Sequence, residues 1–391
     1  MIVETSQSPM RNHHEPAWQQ RESLLLADYA TFSAASQGRV HPEPEHPYRG
    51  PFQRDRDRIL HCAAFRRLSG KMQVFTGDMG DYHRTRLTHT HEVASIARTI
   101  GRQLRLNEDL IEALALLHDI GHPPYGHCGE NVLDFCMRDH GGFSHNRFAL
   151  QLVEQLETRY TGITGLNLTR EVLAGQTHRI GKDLTAAIPS LEVQVVDAAD
   201  SMAYDAHDVD DALQLGLLRL DQLLEIDFIK RCVDEQKQTV PNAPVNRQYL
   251  VHAMLETQVG HFLMQTQATI TPYADMTVQE IQRQQCVIVH LPSEIERERR
   301  ELEAFLFKNV YRHPKLIAVR EQAAQRLQCL FEVLTQQPER LPTRFQKLSD
   351  GIGLQRSVGT YLAGMTDRFC EDAYSQLIER NEQQALDWYA I

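Results

Sequence analysis

Apolar residues recur every three to four positions along most of the chain, at 59–68, 87–104, 108–118, 130–138, 146–156, 191–204, 211–226, 248–265, 300–311, 315–335 and 357–375. That period matches one face of an α-helix and predicts a mainly helical protein. Strand-like alternation is scarce: "CVIVHL" at 286–291 is the best candidate and "MQVFTG" at 72–77 a weaker one. The expected class is therefore all-α, a bundle elaborated with further helices and at most one or two short strands. The first fifty residues are polar, with prolines at 42, 44, 47 and 51, which predicts an extended arm or ordered loop over 1–51. A soft boundary near "KQTVPNAPVNRQ", 237–248, divides the rest into 52–235 and 236–391, and helices from both parts are free to join one bundle.

Composition narrows the function classes. A formal charge of −11 argues against binding driven by nonspecific attraction to a phosphate backbone, while leaving room for a phosphorylated small molecule. The seven cysteines are scattered and form no C-x-x-C pair, which predicts free thiols in a reducing cytoplasm. No secretory signal and no membrane span are expected, because no long apolar run occurs.

Candidate chemistry comes from reading helix faces. In 87–104, Val93, Ile96, Ile100 and Leu104 form a stripe that includes His89, whereas His91 lines up with Ser95, Arg98 and Arg102 and should face water. In the next helix Leu110, Leu114 and Leu117 point inward, and His118 and Asp119 follow at its end. A third helix carries Asp200 among Val193, Val196, Ala203 and Tyr204, a costly place for an acid unless it is paired or binds a metal. His89, His118, Asp119 and Asp200 together predict a divalent-cation site with two imidazoles and two carboxylates, Mn2+ or Mg2+ first, with Fe, Co, Ni or Zn also served by such donors.

After His118 and Asp119, Gly121, Pro123, Pro124 and Gly126 predict a tight turn bearing His122 and His127, with Glu130 at the start of the following helix and His145 before another. His127 and Glu130 have the spacing of a proton donor and the carboxylate that orients it. Arg54, Arg56, Arg58, Arg66, Arg67, Lys71, Arg84 and Arg86 crowd the upstream segment. Most are expected to be solvated or paired with Asp55 and Asp57; Arg86, three residues before His89, should point toward the cation and suits a phosphate. From the residues alone the reading is a metal-dependent phosphohydrolase of unspecified substrate.

The motifs "RDRILHCAAFRRLSGKMQVF", "HRTRLTHTHEVASIAR", "ALALLHDIGHPPYGHCGE", "LEVQVVDAADSMAYDAHDVDDAL", "FLFKNVYRHP" and "YLAGMTDRF" occur in this order from about residue 52 to 370. Their succession resembles the dGTPase-like deoxynucleoside triphosphate triphosphohydrolases, a bacterial branch of the HD-domain superfamily. The resemblance implies hydrolysis of a deoxynucleoside triphosphate to deoxynucleoside and inorganic triphosphate by an HD catalytic core at 52–235, with 236–391 completing the nucleotide site. It implies metal ligation by His89, His118, Asp119 and Asp200, catalysis by His127 with Glu130, and His122 and His145 lining the site. By the same resemblance Tyr204 packs against the deoxyribose, and Arg67, Gln73, Arg86, Asp208, Lys308, Tyr311 and Arg312 lie near nucleotide or phosphate. It further implies a homo-oligomer, often a hexamer, with a deoxynucleotide or single-stranded DNA as effector. The chain departs from the family pattern at "AGQTHR", where Thr177 stands in place of a frequent lysine; Arg179 or Lys182 would then supply the phosphate contact. Rival readings are an HD-type hydrolase of another nucleotide phosphoester and a non-catalytic nucleotide or DNA-end sensor.

Overall fold

A computed structural model describes residues 16–73, 84–181, 188–284 and 287–380. The first part contains helices α1 (Ala17–Leu25), α2 (Pro51–Leu60), α3 (Ala63–Arg67), α4 (Arg86–Gln103), α5 (Glu108–Leu117), α6 (Gly126–Cys136), α7 (His145–Gln151), α8 (Arg170–His178) and α9 (Leu191–Gln214). Next come α10 (Leu220–Leu223), α11 (Asp227–Thr239), α12 (Arg247–Ile270), α13 (Val278–Gln282) and α14 (Ser293–Leu306). The last four are α15 (Pro314–Gln336), α16 (Thr343–Ile352), α17 (Leu354–Ala363) and α18 (Asp367–Tyr374). The all-α expectation holds: among the described residues the only β pairing is two isolated bridges, Arg39 with Thr169 and Met72 with Thr85.

Two apolar cores organise these helices. The larger gathers Phe52, Ile59, Val93, Ile100, Leu114, Leu117, Val196, Leu330 and Tyr361; the smaller gathers Ala206, Val209, Phe228, Leu250, Met254, Leu302 and Val310. Helix α9 passes through both, with Val196 in one and Val209 in the other. Each buried large side chain contributes roughly 1.5–3 kcal/mol, so α9 is held at both ends and its middle, from Asp200 to Asp208, is a rigid platform. Helices α4 and α5 pack on each other and on α9, which brings the ends that carry His89 and His118 to this platform. Residues on both sides of 236 share the second core, where α11 packs on α12.

Local signals explain the placement of the site helices. Thr85 caps α4, its hydroxyl accepting from the Thr88 N–H while Thr88 accepts from the Thr85 N–H, and Asn107 caps α5 ahead of Glu108 and Asp109, acids that favour a helix N-terminus. Helix α6 begins at Gly126, four residues before the expected start at Glu130. Tyr125 and Gly126 have φ values of 64° and 58°; the left-handed turn they make restarts the helix immediately after the prolines, and Tyr125 is held in it by donating its N–H to Asp367.

Several expected elements differ. No strand forms at 287–291, where Ile288 and Val289 are buried in a loop; Cys286 lies outside the described residues, as do 74–77 of the other candidate. The expected arm contains a helix, α1, which buries none of its residues and so has no apolar stripe to betray it. The periodic segment 357–375 is two helices rather than one, broken at Gly364 because Thr366 caps α18 by accepting from the Phe369 N–H. A cleft of about 500 Å³ lined by Trp18, Arg39, Arg49 and Arg54 lies in the arm, with those arginines paired to Asp55, Asp57 and Glu43.

Candidate active site

Three helices converge on four donors. His89 and His118 are each 1% exposed and Asp119 5%, while the Asp200 side chain keeps 31% exposure toward solvent. Nε2 of His89 lies 3.0 Å from Asp200 Oδ1, and Nε2 of His118 lies 3.6 Å from the same oxygen and 3.5 Å from Asp119 Oδ1. His118 Nδ1 donates to the Ala115 carbonyl at 2.6 Å; its Nε2 therefore carries a lone pair, and that atom is buried without a hydrogen-bond partner. Burial keeps the ring's pKa below the ordinary histidine value, so the lone pair stays available. Donor separations of this size are what ligands about 2.1 Å from a common ion would show. The residues present thus fit a divalent cation, with His89, His118 and Asp119 close enough in pairs to share it and Asp200 within reach of both rings.

Charge around the donors keeps the acids ionised. Burial alone would raise the Asp119 carboxyl, but His122, His118 and Arg86 outweigh it and hold the group well below the usual carboxylate range. Likewise His118, His89 and Arg179 overcome the burial of Asp200 and lower it. Arg86, 2% exposed, points toward the site as expected but is engaged there, its Nη1 donating to Asp119 Oδ2 at 2.8 Å. Arg179 reaches the far side of Asp200, Nη1 to Oδ2 at 3.6 Å. Thr177 is exposed and donates its hydroxyl to the Leu173 carbonyl of its own helix; Lys182 is outside the described residues.

A second cluster adjoins the first through Asp119. His122 Nδ1 is 3.1 Å from Asp119 Oδ1, and the ring of His122 stacks on His145 with centroids 3.8 Å apart. Glu130 accepts from His127 Nδ1 at 3.1 Å and from both the ring and the backbone N–H of His145, at 2.8 and 2.9 Å. Burial would raise the Glu130 carboxyl; the hydrogen bonds from His127 and His145 prevail and hold it far below the normal range. His127 is 63% exposed, open to a substrate. Gly121 makes the cluster compact, because a Cβ there would fall 2.0 Å from the His145 carbonyl oxygen.

The third feature is a chain of hydroxyls on the smaller core. Tyr311 donates to Asp208 Oδ2, and the hydroxyls of Tyr311 and Tyr204 are in close contact. Burial raises the Asp208 carboxyl well above its ordinary value, and its Oδ1 is buried without a partner. Gln73 likewise has a buried, unpartnered Oε1. Lys308 and Arg312 sit exposed on the turn after α14, Arg312 lying over the Phe307 ring. Arg67 is partly buried at the end of α3.

Within the basic segment Lys71 and Arg58 are neither solvated nor paired with Asp55 or Asp57. Lys71 is 2% exposed and donates to the carbonyls of His122 and Ala363, and Arg58 is buried against Glu43 and the Leu166 carbonyl. Asp55 pairs with Arg39 rather than with the arginines beside it. The sequence reading also missed His207, buried beside His89; its place at i+7 from Asp200 and i+3 from Tyr204, on one helix face, was the available signal.

Two family profiles match this chain. The HD-domain family profile matches residues 86–205, spanning all four donors, and the phosphohydrolase-associated domain profile matches 289–376. A deoxyguanosinetriphosphate triphosphohydrolase-like protein of Geobacter sulfurreducens is 41% identical over 374 residues, covering 93% of this chain and 97% of the relative. Proteins of the same description from Ralstonia nicotianae (41%, covering 88% and 92%) and Brucella canis (40%, covering 92% and 97%) are similarly alike. With likeness of this degree over nearly the full length of each relative, the chain belongs to the dGTPase-like family of HD-domain phosphohydrolases.

Proposed function

We propose that the protein hydrolyses deoxynucleoside triphosphates, dGTP or several of them, to deoxynucleoside and inorganic triphosphate. The observation that carries this reading is the junction of the two clusters: Asp119, in the cation-donor set, also holds His122, which stacks on His145 beside the His127–Glu130 pair. A proton donor thus stands next to the place where a phosphoryl group would be polarised. The dGTP named in the relatives' descriptions supports the substrate class.

A divalent cation, Mn2+ or Mg2+ first, held by His89, His118, Asp119 and Asp200, would polarise a phosphoryl oxygen and acidify a bound water. The reaction adds water across the bond between the α-phosphorus and the 5′ oxygen. Hydroxyl ends on phosphorus, the departing oxygen takes a proton from the imidazolium of His127, whose Nδ1–H is held by Glu130, and the proton released by the water restores that imidazolium. Arg179 supplies the cationic contact that Thr177 does not, with Arg67, Gln73, Arg86, Lys308 and Arg312 around the triphosphate. Asp208 Oδ1, buried without a partner, suits a hydrogen bond with a sugar hydroxyl, and Tyr204 crowds the 2′ position. In this reading 236–391 completes the site that 52–235 begins, through Tyr311, and the setting is a cytoplasmic homo-oligomer, up to a hexamer, responsive to a deoxynucleotide or single-stranded DNA.

Phosphorus NMR of the products from a panel of deoxynucleoside triphosphates tests the reading. Inorganic triphosphate is expected, with activity lost to EDTA and restored by Mn2+. Pyrophosphate together with a deoxynucleoside monophosphate would sink it.

A further inference from the structure

His207 lies against the Nδ1 edge of His89, away from the Nε2 edge that faces Asp200. It is 3% exposed, its Nδ1 lies 3.2 Å from Nδ1 of His89, and its Nε2 is in close contact with Glu92 Oε2. Glu92 follows His89 by three residues on α4, keeps 46% of its side-chain surface exposed, and is also held by Arg84, whose Nη1 is 2.6 Å from the same oxygen. Arg84 in turn is anchored to α9 by Asp210 and Asp211.

We infer that Glu92 and His207 form a positioning chain that keeps His89 in the tautomer whose bare Nε2 faces Asp200 and His118. A carboxylate offers only acceptors, so the His207 nitrogen against Glu92 carries a proton. The other nitrogen of a neutral ring has none, and accepts the proton on His89 Nδ1. His89 Nε2 is then left with its lone pair. Without this chain the favoured arrangement would be the reverse, because Asp200 Oδ1, 3.0 Å away, would attract a proton onto Nε2, and a protonated nitrogen cannot bind a cation. His118 gets the same orientation more directly, from the Ala115 carbonyl. His207 and Glu92 touch neither substrate nor cation; they act through His89.

The inference rests on the metal-site reading, and its test is independent of substrate. Mn2+ alone is titrated calorimetrically into the metal-stripped full-length protein, with melting curves recorded on the metal-free forms. Glu92→Ala and His207→Gln are expected to weaken Mn2+ binding about 10–100-fold. Glu92→Gln, whose amide oxygen accepts the same His207 N–H, should recover most of the loss. Glu235→Ala removes a similar histidine partner, that of His261, away from the donors and should leave the affinity unchanged. Imidazole 15N spectra should show His89 protonated on Nδ1 in the parent and shifted toward Nε2 in Glu92→Ala. Because Glu92 is half exposed, its variants carry the test if His207→Gln fails to fold. Affinities within about threefold of the parent in the Glu92→Ala variant would overturn the chain and leave the hydrolase reading standing, whereas a parent that binds no Mn2+ would overturn both.

Discussion

Replacing Glu130 by glutamine keeps size and shape but exchanges one acceptor for a donor. Oε1 serves two N–H groups of His145 and Oε2 serves His127 alone, so the amide oxygen is best spent on His145 and the NH2 turns to His127. Nδ1 of His127 must then accept, and the imidazolium needed to protonate a leaving oxygen would press two donors together. General acid catalysis is worth about 10²–10⁴ in rate, or about 2.7–5.5 kcal/mol at 1.36 kcal/mol per tenfold. The expected outcome is a kcat reduced at least about 100-fold, with Mn2+ affinity unchanged because Glu130 is not in the donor set. A substrate whose leaving group needs no proton, such as a p-nitrophenyl phosphodiester, should be affected far less. Stability provides a second readout. The Glu130 pKa is lowered on folding, so the carboxylate stabilises the fold above its unfolded value near 4.5, and this contribution is lost as pH falls through the depressed folded value. The melting-temperature gap between parent and Glu130→Gln should therefore be full at neutral pH and close under acid conditions. Equal losses on both substrates, or a kcat within about threefold of the parent, would refute the proton-transfer role.

Gly126→Ala should cost roughly 1–2 kcal/mol, from a left-handed backbone without glycine, and lower activity as well, since its Cβ would sit 2.7 Å from Arg86 Nη2; calorimetric melting with no destabilisation would contradict this. Tyr204→Ala should raise activity on ribonucleoside triphosphates relative to their deoxy counterparts, measured as a ratio of kcat/KM values, and an unchanged ratio removes the sugar-selecting role. Iodoacetamide applied to the native protein at pH 8 should spare Cys62, Cys232 and Cys370, whose thiols burial pushes up to about 12. Mass spectrometry locates the adducts, and rapid labelling of these three would show that their burial is wrong.

Much of the candidate site is legible in the sequence, for a physical reason. His89 and Asp200 are polar residues on apolar stripes, and periodicity alone reports which way such residues face. His118, Asp119, His127 and Glu130 fell into place because glycine and proline mark turns locally. The partners of those residues were not legible in the same way. Lys71 looked like one more surface cation, since nothing nearby in sequence says that the carbonyls of His122 and Ala363 will meet at its amine. Asp367 stands in the motif "YLAGMTDRF", but that it holds both Met72 and the strained Tyr125 could not be read there for the same reason.

By itself, then, the sequence determined the helical class, the inward faces of α4, α5 and α9, and the donors that those faces carry, because each depends on spacing within a single helix or turn. Only the tertiary structure decided which donors share an ion-sized space, that Asp119 joins the two histidine clusters, that Tyr311 meets Tyr204 and Asp208, and that His207 backs His89. Those are contacts between residues up to 118 positions apart in the chain, and they follow from how α9 threads two cores, which no local pattern encodes.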